Sequence, residues 1–298
     1  MNLCGRDVAI QGGLIRIASL DGDKYRFLDD PERMIEALRR SGKRVDIFTF
    51  LQRLPETSPK YSYPMEWDNF ATIRIKSFED WWENQLGFKA RNKAKQAVKR
   101  GVELREMPLD DTLVRGIWEI YNESPMRQGK PFRHYGKDLA TVRREAATFL
   151  ESSIWIGAVY CQKLIGFIKL TMDETCTQAG LMNIVSMISH RDKAPTNALV
   201  AQAVRSCAER GVSYMVYSNF SYGNKLRDSL SDFKERNGFQ KIDVPRYYVP
   251  LTHLGRLAVR YRLYRKLSER VPEPIAMRLR EWRRAWYEKR FKSVSEAY

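Results

Sequence analysis

Gly180-Leu-Met-Asn-Ile-Val-Ser-Met-Ile-Ser189, Val212-Ser-Tyr-Met-Val-Tyr217 and Ser229-Leu-Ser-Asp-Phe-Lys-Glu-Arg-Asn-Gly-Phe239 are the three pieces of a stretch, residues 177–250, whose reading decides the fold. The first piece is apolar and strand-like. After it Pro195 stands where the first turn of a helix has no use for an N–H, and Leu199, Val200, Ala203, Val204, Cys207 and Ala208 repeat at helical spacing until Gly211 stops them. The second piece is again a strand, which makes a strand–helix–strand unit. The third carries Leu230 and Phe233 three apart with Gly238 at its C-terminal end, and Phe239 leads into a last strand ending at Val249. This order predicts an α/β protein with a mixed sheet.

Upstream, residues 153–160 and 164–172 are two apolar runs separated by Gln162-Lys163 and read as an antiparallel hairpin feeding the strand at 180. Before them come a helix over 138–151 and the polar, cationic, proline-interrupted loop Ser124-Pro-Met-Arg-Gln-Gly-Lys-Pro-Phe-Arg-His-Tyr-Gly136. An amphipathic helix over 111–122 buries Leu113, Ile117 and Tyr121, with Asp110 or Asp111 as its N-cap. The run 102–106 is a strand. The helix over 89–100 turns a small stripe of Ala90, Ala94, Ala97 and Val98 inward, and the helix over 78–86 places Trp81 and Trp82 so that one faces the core and the other a groove. A strand covers 70–75. In the first fifth, strands at 14–18, 25–27 and 45–50 surround a helix over 31–40 with Met34, Ile35 and Leu38 inward. The proline-rich loop Leu54-Pro-Glu-Thr-Ser-Pro-Lys-Tyr-Ser-Tyr-Pro64 marks a boundary. Three segments are therefore expected: an α/β half-domain over 1–64, a main domain over 65–251 and a basic helical tail over 252–298.

The formal net charge of +16 over 298 residues is unevenly placed. Residues 251–298 hold 13 Lys and Arg against 5 Glu, and residues 89–105 hold Lys89, Arg91, Lys93, Lys95, Lys99, Arg100 and Arg105 against Glu103. Such clusters suit a polyanionic partner, whether tRNA, an anionic membrane surface or a phosphorylated substrate; solvated faces that keep a protein soluble are the plainer reading. In the tail, Leu254, Leu257, Ala258, Tyr261, Tyr264 and Leu267 form one helical apolar stripe, and Met277, Leu279, Trp282 and Trp286 form a second over 275–291 after Pro272 and Pro274. A basic amphipathic pair of this kind lies on a membrane, on RNA or on its own protein body. Four scattered cysteines show no disulfide or metal spacing, no apolar run reaches the length that spans a bilayer, and no secretory signal is evident, so a cytoplasmic protein associated at most peripherally with membranes is expected.

The order strand, helix, strand, helix, Asn237-Gly-Phe239, strand resembles the C-terminal half of GNAT-superfamily acyltransferases. Ser77-Phe-Glu-Asp-Trp-Trp82, Lys89-Ala-Arg-Asn-Lys-Ala-Lys95, Lys99-Arg-Gly-Val102 and the Phe233-Lys234 pair resemble the Fem-type branch, whose members use aminoacyl-tRNA. The resemblance implies a GNAT-like fold with a shortened first half and transfer of an acyl or aminoacyl group onto an amine, such as that of a lipid-linked or other cell-envelope precursor. It places Lys234 and Phe233 at the reacting centre and Arg191, Lys193, Thr196, Asn197 and Asn219 against the donor. Arg127, Lys130, Arg133, His134 and Trp82 fall on the acceptor side. No tightly bound cofactor and no metal are implied. The donor is acyl-CoA or aminoacyl-tRNA. CoA-dependent relatives cradle pyrophosphate with glycines in the loop before the central helix, whereas His190-Arg-Asp-Lys-Ala-Pro-Thr196 has none and Pro195 removes a donor. Those relatives also carry a tyrosine where this chain has Lys234, and a lysine ammonium there suits a developing oxyanion. Lys234 as an ordinary exposed helix residue, and the whole chain as a non-catalytic RNA- or membrane-binding protein on a degenerate acyltransferase fold, are the competing readings.

Overall fold

The computed structural model describes residues 1–221 and 229–265, with Arg278 and Trp282 singly beyond them. Strands β1 (Asn2–Leu3), β2 (Arg6–Gln11), β3 (Ile17–Leu20), helix α1 (Pro31–Arg40) and β4 (Ile47–Leu51) come from the first segment. They are followed by β5 (Met65–Arg74), α2 (Phe78–Asp80) running into a π-helical turn (Trp81–Gln85), α3 (Phe88–Lys99), β6 (Glu103–Met107), α4 (Asp111–Asn122), and the short pair β7 (Met126–Arg127) and β8 (Lys130–Pro131). Then come α5 (Leu139–Ala146), β9 (Ser153–Tyr160), β10 (Lys163–Met172), β11 (Gln178–Ser186), α6 (Pro195–Glu209), β12 (Tyr214–Asn219), α7 (Ser229–Arg236), β13 (Gln240–Pro250) and α8 (His253–Arg260).

Eleven strands form one sheet in the order β1-β2-β3-β4-β13-β5-β12-β11-β10-β9-β6. The pairs β3–β4 and β11–β12 are parallel, as the strand–helix–strand reading requires for β11, α6 and β12. β13 pairs with β4 on one edge and β5 on the other, so the first segment continues the main sheet through the last strand. Consecutive residues of β10 show which helices share a face. A Cβ at Gly166 would meet Leu199 of α6, while the ring of Phe167 lies 5.9 Å from that of Tyr121 on α4. Because successive side chains of a strand point to opposite faces, α4 and α6 cover opposite sides of the sheet. The largest apolar core lies around β9 to β12 and these helices, and a second, with Phe48, Phe50 and Tyr247, lies under α1.

Several elements differ from the sequence reading for identifiable reasons. Residues 25–27 form no strand: Tyr25 leaves the chain in a turn and lies on Gly180, where a Cβ would run into its ring. The helix over 78–86 is an α-turn followed by a π-turn, and it places Trp81 fully buried and Trp82 half-buried. In the tail, α8 is capped by Thr252, whose hydroxyl also donates to Asp46 at 2.7 Å. Tyr264 stacks on Tyr248 at 4.2 Å, and Tyr264 and Arg265 bind Glu66. Residues 252–265 thus pack on the body, with Gly255 and Ala258 inward and Leu257 and Tyr261 exposed. The helix expected over 275–291 lies outside the described residues, apart from Arg278 and Trp282, both helical and exposed.

Candidate functional site

The two parallel strands β11 and β12 pair only from Gln178–Tyr214 to Gly180–Val216. β11 then runs on to Ser186 and β12 to Asn219 without pairing to each other, and both pass from buried to half-buried. Each strand carries an extra residue just past the parting. On β11, Met182 falls between the pairs Leu170–Leu181 and Lys169–Asn183. On β12, three steps from Val216 to Asn219 oppose two on β5, and Ser218 adopts a left-handed backbone with φ 47°. Bulges of this kind re-aim side chains and concentrate beside functional sites.

On the α4 side the parting opens onto a cavity of about 350 Å³ whose wall includes Met182, Asn183, Tyr25, Trp155, Lys169 and His134. Lys169 is buried in the middle of a strand. Its ammonium donates to the carbonyls of Ala146 (2.8 Å) and Thr148 and to the Thr148 hydroxyl (3.0 Å), and it lies 5.2 Å from the Trp155 ring centroid. Burial pulls this lysine down to about 8. The Trp155 indole N–H is buried without a hydrogen-bond partner among the described residues. His134 stacks on Tyr121 at 4.3 Å, with Arg133 Nε 2.9 Å from its Nε2 and Lys137 Nζ 3.1 Å from its Nδ1. Burial and then the Lys137 and Arg133 charges push its imidazole down to about 4.

That imidazole makes the protein acid-sensitive in a defined window. An imidazole with an ordinary value of 6.5 and a folded value of about 4 takes up its proton first in the unfolded chain, so acidification favours unfolding. The destabilisation should begin below about 6.5 and saturate below about 4, and 2.5 pH units correspond to about 3 kcal/mol. His134→Phe should flatten the fall of the melting temperature across that window. An unchanged pH profile in this variant would contradict the assignment.

Two lysines converge on the end of β12. Lys24 Nζ donates to Asn219 Oδ1 at 2.7 Å and to Ser218 Oγ at 3.2 Å, and the fully buried Lys234 donates to the Asn219 carbonyl with its Nζ 4.8 Å from the Tyr217 ring centroid. Phe233 is half-buried against the main core. The N-terminus of α6 lies between these groups. The Thr196 hydroxyl is 2.9 Å from that of Ser186 at the end of β11, and Asn197 Nδ2 donates to Asn237 Oδ1 at 3.2 Å just past α7. Ala194 caps α6 in a left-handed conformation with no side-chain hydrogen bond, so the first-turn N–H groups have no side-chain cap.

The expected site residues therefore fall into separate groups. Lys234, Phe233, Asn219, Asn197 and Thr196 gather around the parted strands, and Arg133 and His134 line the cavity. Arg127 is spent inside the fold: it donates to the carbonyls of Ser186 (2.6 Å) and Ile120 (2.8 Å) and pairs with Glu123, stapling its loop to the end of β11. Lys130 is exposed on β8 and Arg191 is exposed in a 3-10 turn. Lys193 pairs with Asp192 and lies over Tyr160. Trp82 lines a different groove, between α3 and α6. Lys24, Tyr25, Trp155 and Lys169 were not anticipated. Lys169 alone left a sequence signal, a lysine inside the apolar run Leu164-Ile-Gly-Phe-Ile-Lys-Leu170.

A comparison of the sequence with protein-family models and with curated proteins returns no match. Solved structures do resemble the chain. The C-terminal domain of a protein assigned as a lysylphosphatidylglycerol synthetase from Agrobacterium fabrum is similar with a TM-score of 0.55 at 15% identity, over 85% of this chain and 83% of that one. L-PGS from Bacillus licheniformis gives 0.53 at 12% identity over 85% and 84%, and FemX gives 0.50 at 12% over 78% and 72%. The chain thus shares the fold of these three proteins. No helix among the described residues is long and apolar enough to cross a membrane.

Proposed function

We propose that this protein transfers an acyl or aminoacyl group from an activated donor onto an amine acceptor, with aminoacyl-tRNA the favoured donor and acyl-CoA the alternative. The observation that carries the reading is the parting of β11 and β12, with a bulge on each strand, a cavity that opens beside it and the Lys24–Asn219–Lys234 cluster at the end of β12. The cavity takes the acceptor, with a cell-envelope precursor the first class to try. The α6 N-terminus faces donor phosphate, and the Lys234 ammonium stabilises the oxyanion that develops as the donor carbonyl is attacked. Its burial agrees with the catalytic reading over that of an exposed helix residue. A name such as lysylphosphatidylglycerol synthetase denotes joining an amino acid to an anionic lipid, which supports the aminoacyl donor for a chain of the same fold. The test is to incubate the protein with radiolabelled aminoacyl-tRNA or acetyl-CoA and a mixture of envelope precursors and amines. Transfer from one donor is expected; if neither donor loses its group faster with protein than without, the reading falls.

The donor can be separated by salt. With a glycine-free loop at 190–196, tight acetyl-CoA binding is not expected, whereas tRNA would be held by a broad cationic surface that includes the outward residues Lys89, Lys93 and Arg100 of the α3 region. Log affinity for tRNA should then fall against log salt with a slope of roughly 0.7 to 0.9 per phosphate contact. Residues 266–298 hold nine Lys and Arg against five Glu, so removing them while keeping the packed part up to 265 should lower both affinity and slope. Salt-insensitive acetyl-CoA binding, with tRNA binding unaffected by the deletion, would reverse the order of the two donors.

A further inference from the structure

The groove between α3 and α6, on the sheet face away from the cavity, is larger than that cavity, at about 710 Å³. Its floor is apolar: Ala94 and Val98 of α3, Leu104 of β6, Ala198 and Ala201 of α6, and Trp82 at one end. Its rim is cationic, with Lys95, Lys99 and Arg205, and no lining residue is acidic. Among the described residues these three cations make no ion pair and no hydrogen bond. Arg205 instead lies over the Phe78 ring at 4.0 Å, and Phe78 stacks on Trp82 at 5.5 Å.

Elsewhere on the fold carboxylates stand against cations, as Asp23 and Asp68 do for Arg246, Glu106 for Arg210 and Glu66 for Arg265, whereas the groove brings three cations together with no carboxylate in its lining. Three cations around an apolar trough match a ligand with both properties, an anionic head and a hydrocarbon body. The exposed surface extends the same character along α3. Phe88 is 74% exposed and, at helical spacing, shares the side of Lys95 and Lys99, and Val98 at the groove is 60% exposed. A nucleic-acid strand fits less well, because base stacking needs open ring faces. Here one face of Phe78 is taken by Arg205, Trp82 stacks against the ring as well, and the rest of the floor is aliphatic.

We propose that the α3–α6 groove binds an anionic membrane lipid, with an acyl chain along Ala94, Val98, Ala198 and Ala201 and the phosphate against Lys95, Lys99 and Arg205. Peripheral attachment would then be made by a specific seat on the folded body, in addition to any contribution of the tail. The seat does not depend on the transfer reaction.

The test is calorimetric titration of the full chain with monomeric lysophosphatidylglycerol, beside lysophosphatidylcholine, inorganic phosphate and tRNA. Lysophosphatidylglycerol should bind at least about tenfold more tightly than lysophosphatidylcholine or phosphate. Val98→Asp, which places a carboxylate on the trough at an exposed position, should weaken it by about tenfold or more. Lys99→Glu, fully on the surface, should weaken lysophosphatidylglycerol by a similar factor and serves if the Val98 variant does not fold. The proposal fails if lysophosphatidylglycerol binds no better than phosphate, if both variants retain wild-type affinity for it, or if tRNA displaces it.

Discussion

Lys234→Ala is expected to lower transfer by about 100-fold or more, the scale of removing one preorganised donor from a developing oxyanion. The loss has two components that can be separated. Lys234 is fully buried, its ammonium donates to the Asn219 carbonyl, and its Nζ lies against the Tyr217 ring. Alanine therefore also leaves a void and removes a donor from a carbonyl at the end of β12, a cost of about 1 to 3 kcal/mol. Lys234→Met keeps most of the volume but removes the ammonium and with it the hydrogen bond to the Asn219 carbonyl. If the ammonium acts on the reacting carbonyl, the methionine variant, which leaves no void, should melt above the alanine variant and still lose the activity where it is fully folded. A methionine variant that transfers at the wild-type rate would leave Lys234 as a structural clamp on β12 and return the oxyanion role to Lys24 or to the α6 N–H groups.

What the sequence disclosed is what local physics encodes. Pro195 and the apolar repeat of α6, the Gly-Phe stop of α7, the Asp110 cap of α4 and the two long runs of the β9–β10 hairpin carry their own signals within a few residues, and all are present. Gly238 and Phe239 close α7 with hydrogen bonds to the carbonyls of Glu235 and Lys234, each at 3.0 Å, and this fixes where Lys234 lies on the helix. The sites that were missed depend on pairings distant in sequence. Lys24 and Tyr25 reach β12 and β11 because the buried Arg246 ties Asp23 to Asp68 at 2.6 and 2.8 Å, an ion triad spanning more than 200 positions. No window of sequence around Tyr25 contains that information, and its aromatic neighbours read as a strand. Arg127 was misplaced for the converse reason: a cation in a polar loop looks available, and only the fold shows the Ser186 and Ile120 carbonyls that occupy it.

Gly238→Val should be the most destabilising single change near the site, and the reason lies in both backbone and space. Gly238 has φ +82°, where an L-residue costs about 1 to 2 kcal/mol. A Cβ there would stand 2.8 Å from Trp81 Nε1 and 3.1 Å from the Gln85 carbonyl oxygen. Trp81 cannot yield, since it is fully buried and its indole N–H donates to the Asn237 carbonyl at 3.1 Å. Overpacking of that wall adds about 1 to 3 kcal/mol, so a total near 3 kcal/mol and a fall in Tm of roughly 5 to 10 °C are expected. Because α7 ends at this point, the displacement also moves Lys234 and Asn237 relative to Asn197, and activity should fall further than unfolding alone explains. Gly238→Asn distinguishes the two causes. Asparagine tolerates the left-handed backbone but keeps the Cβ, so near-wild-type stability in that variant would make strain the whole effect and show that the Trp81 wall gives way. Loss equal to that of the valine variant would make the wall decisive, with the π-turn at 81–85 acting as the rigid support against which the end of α7, and with it Lys234, is set.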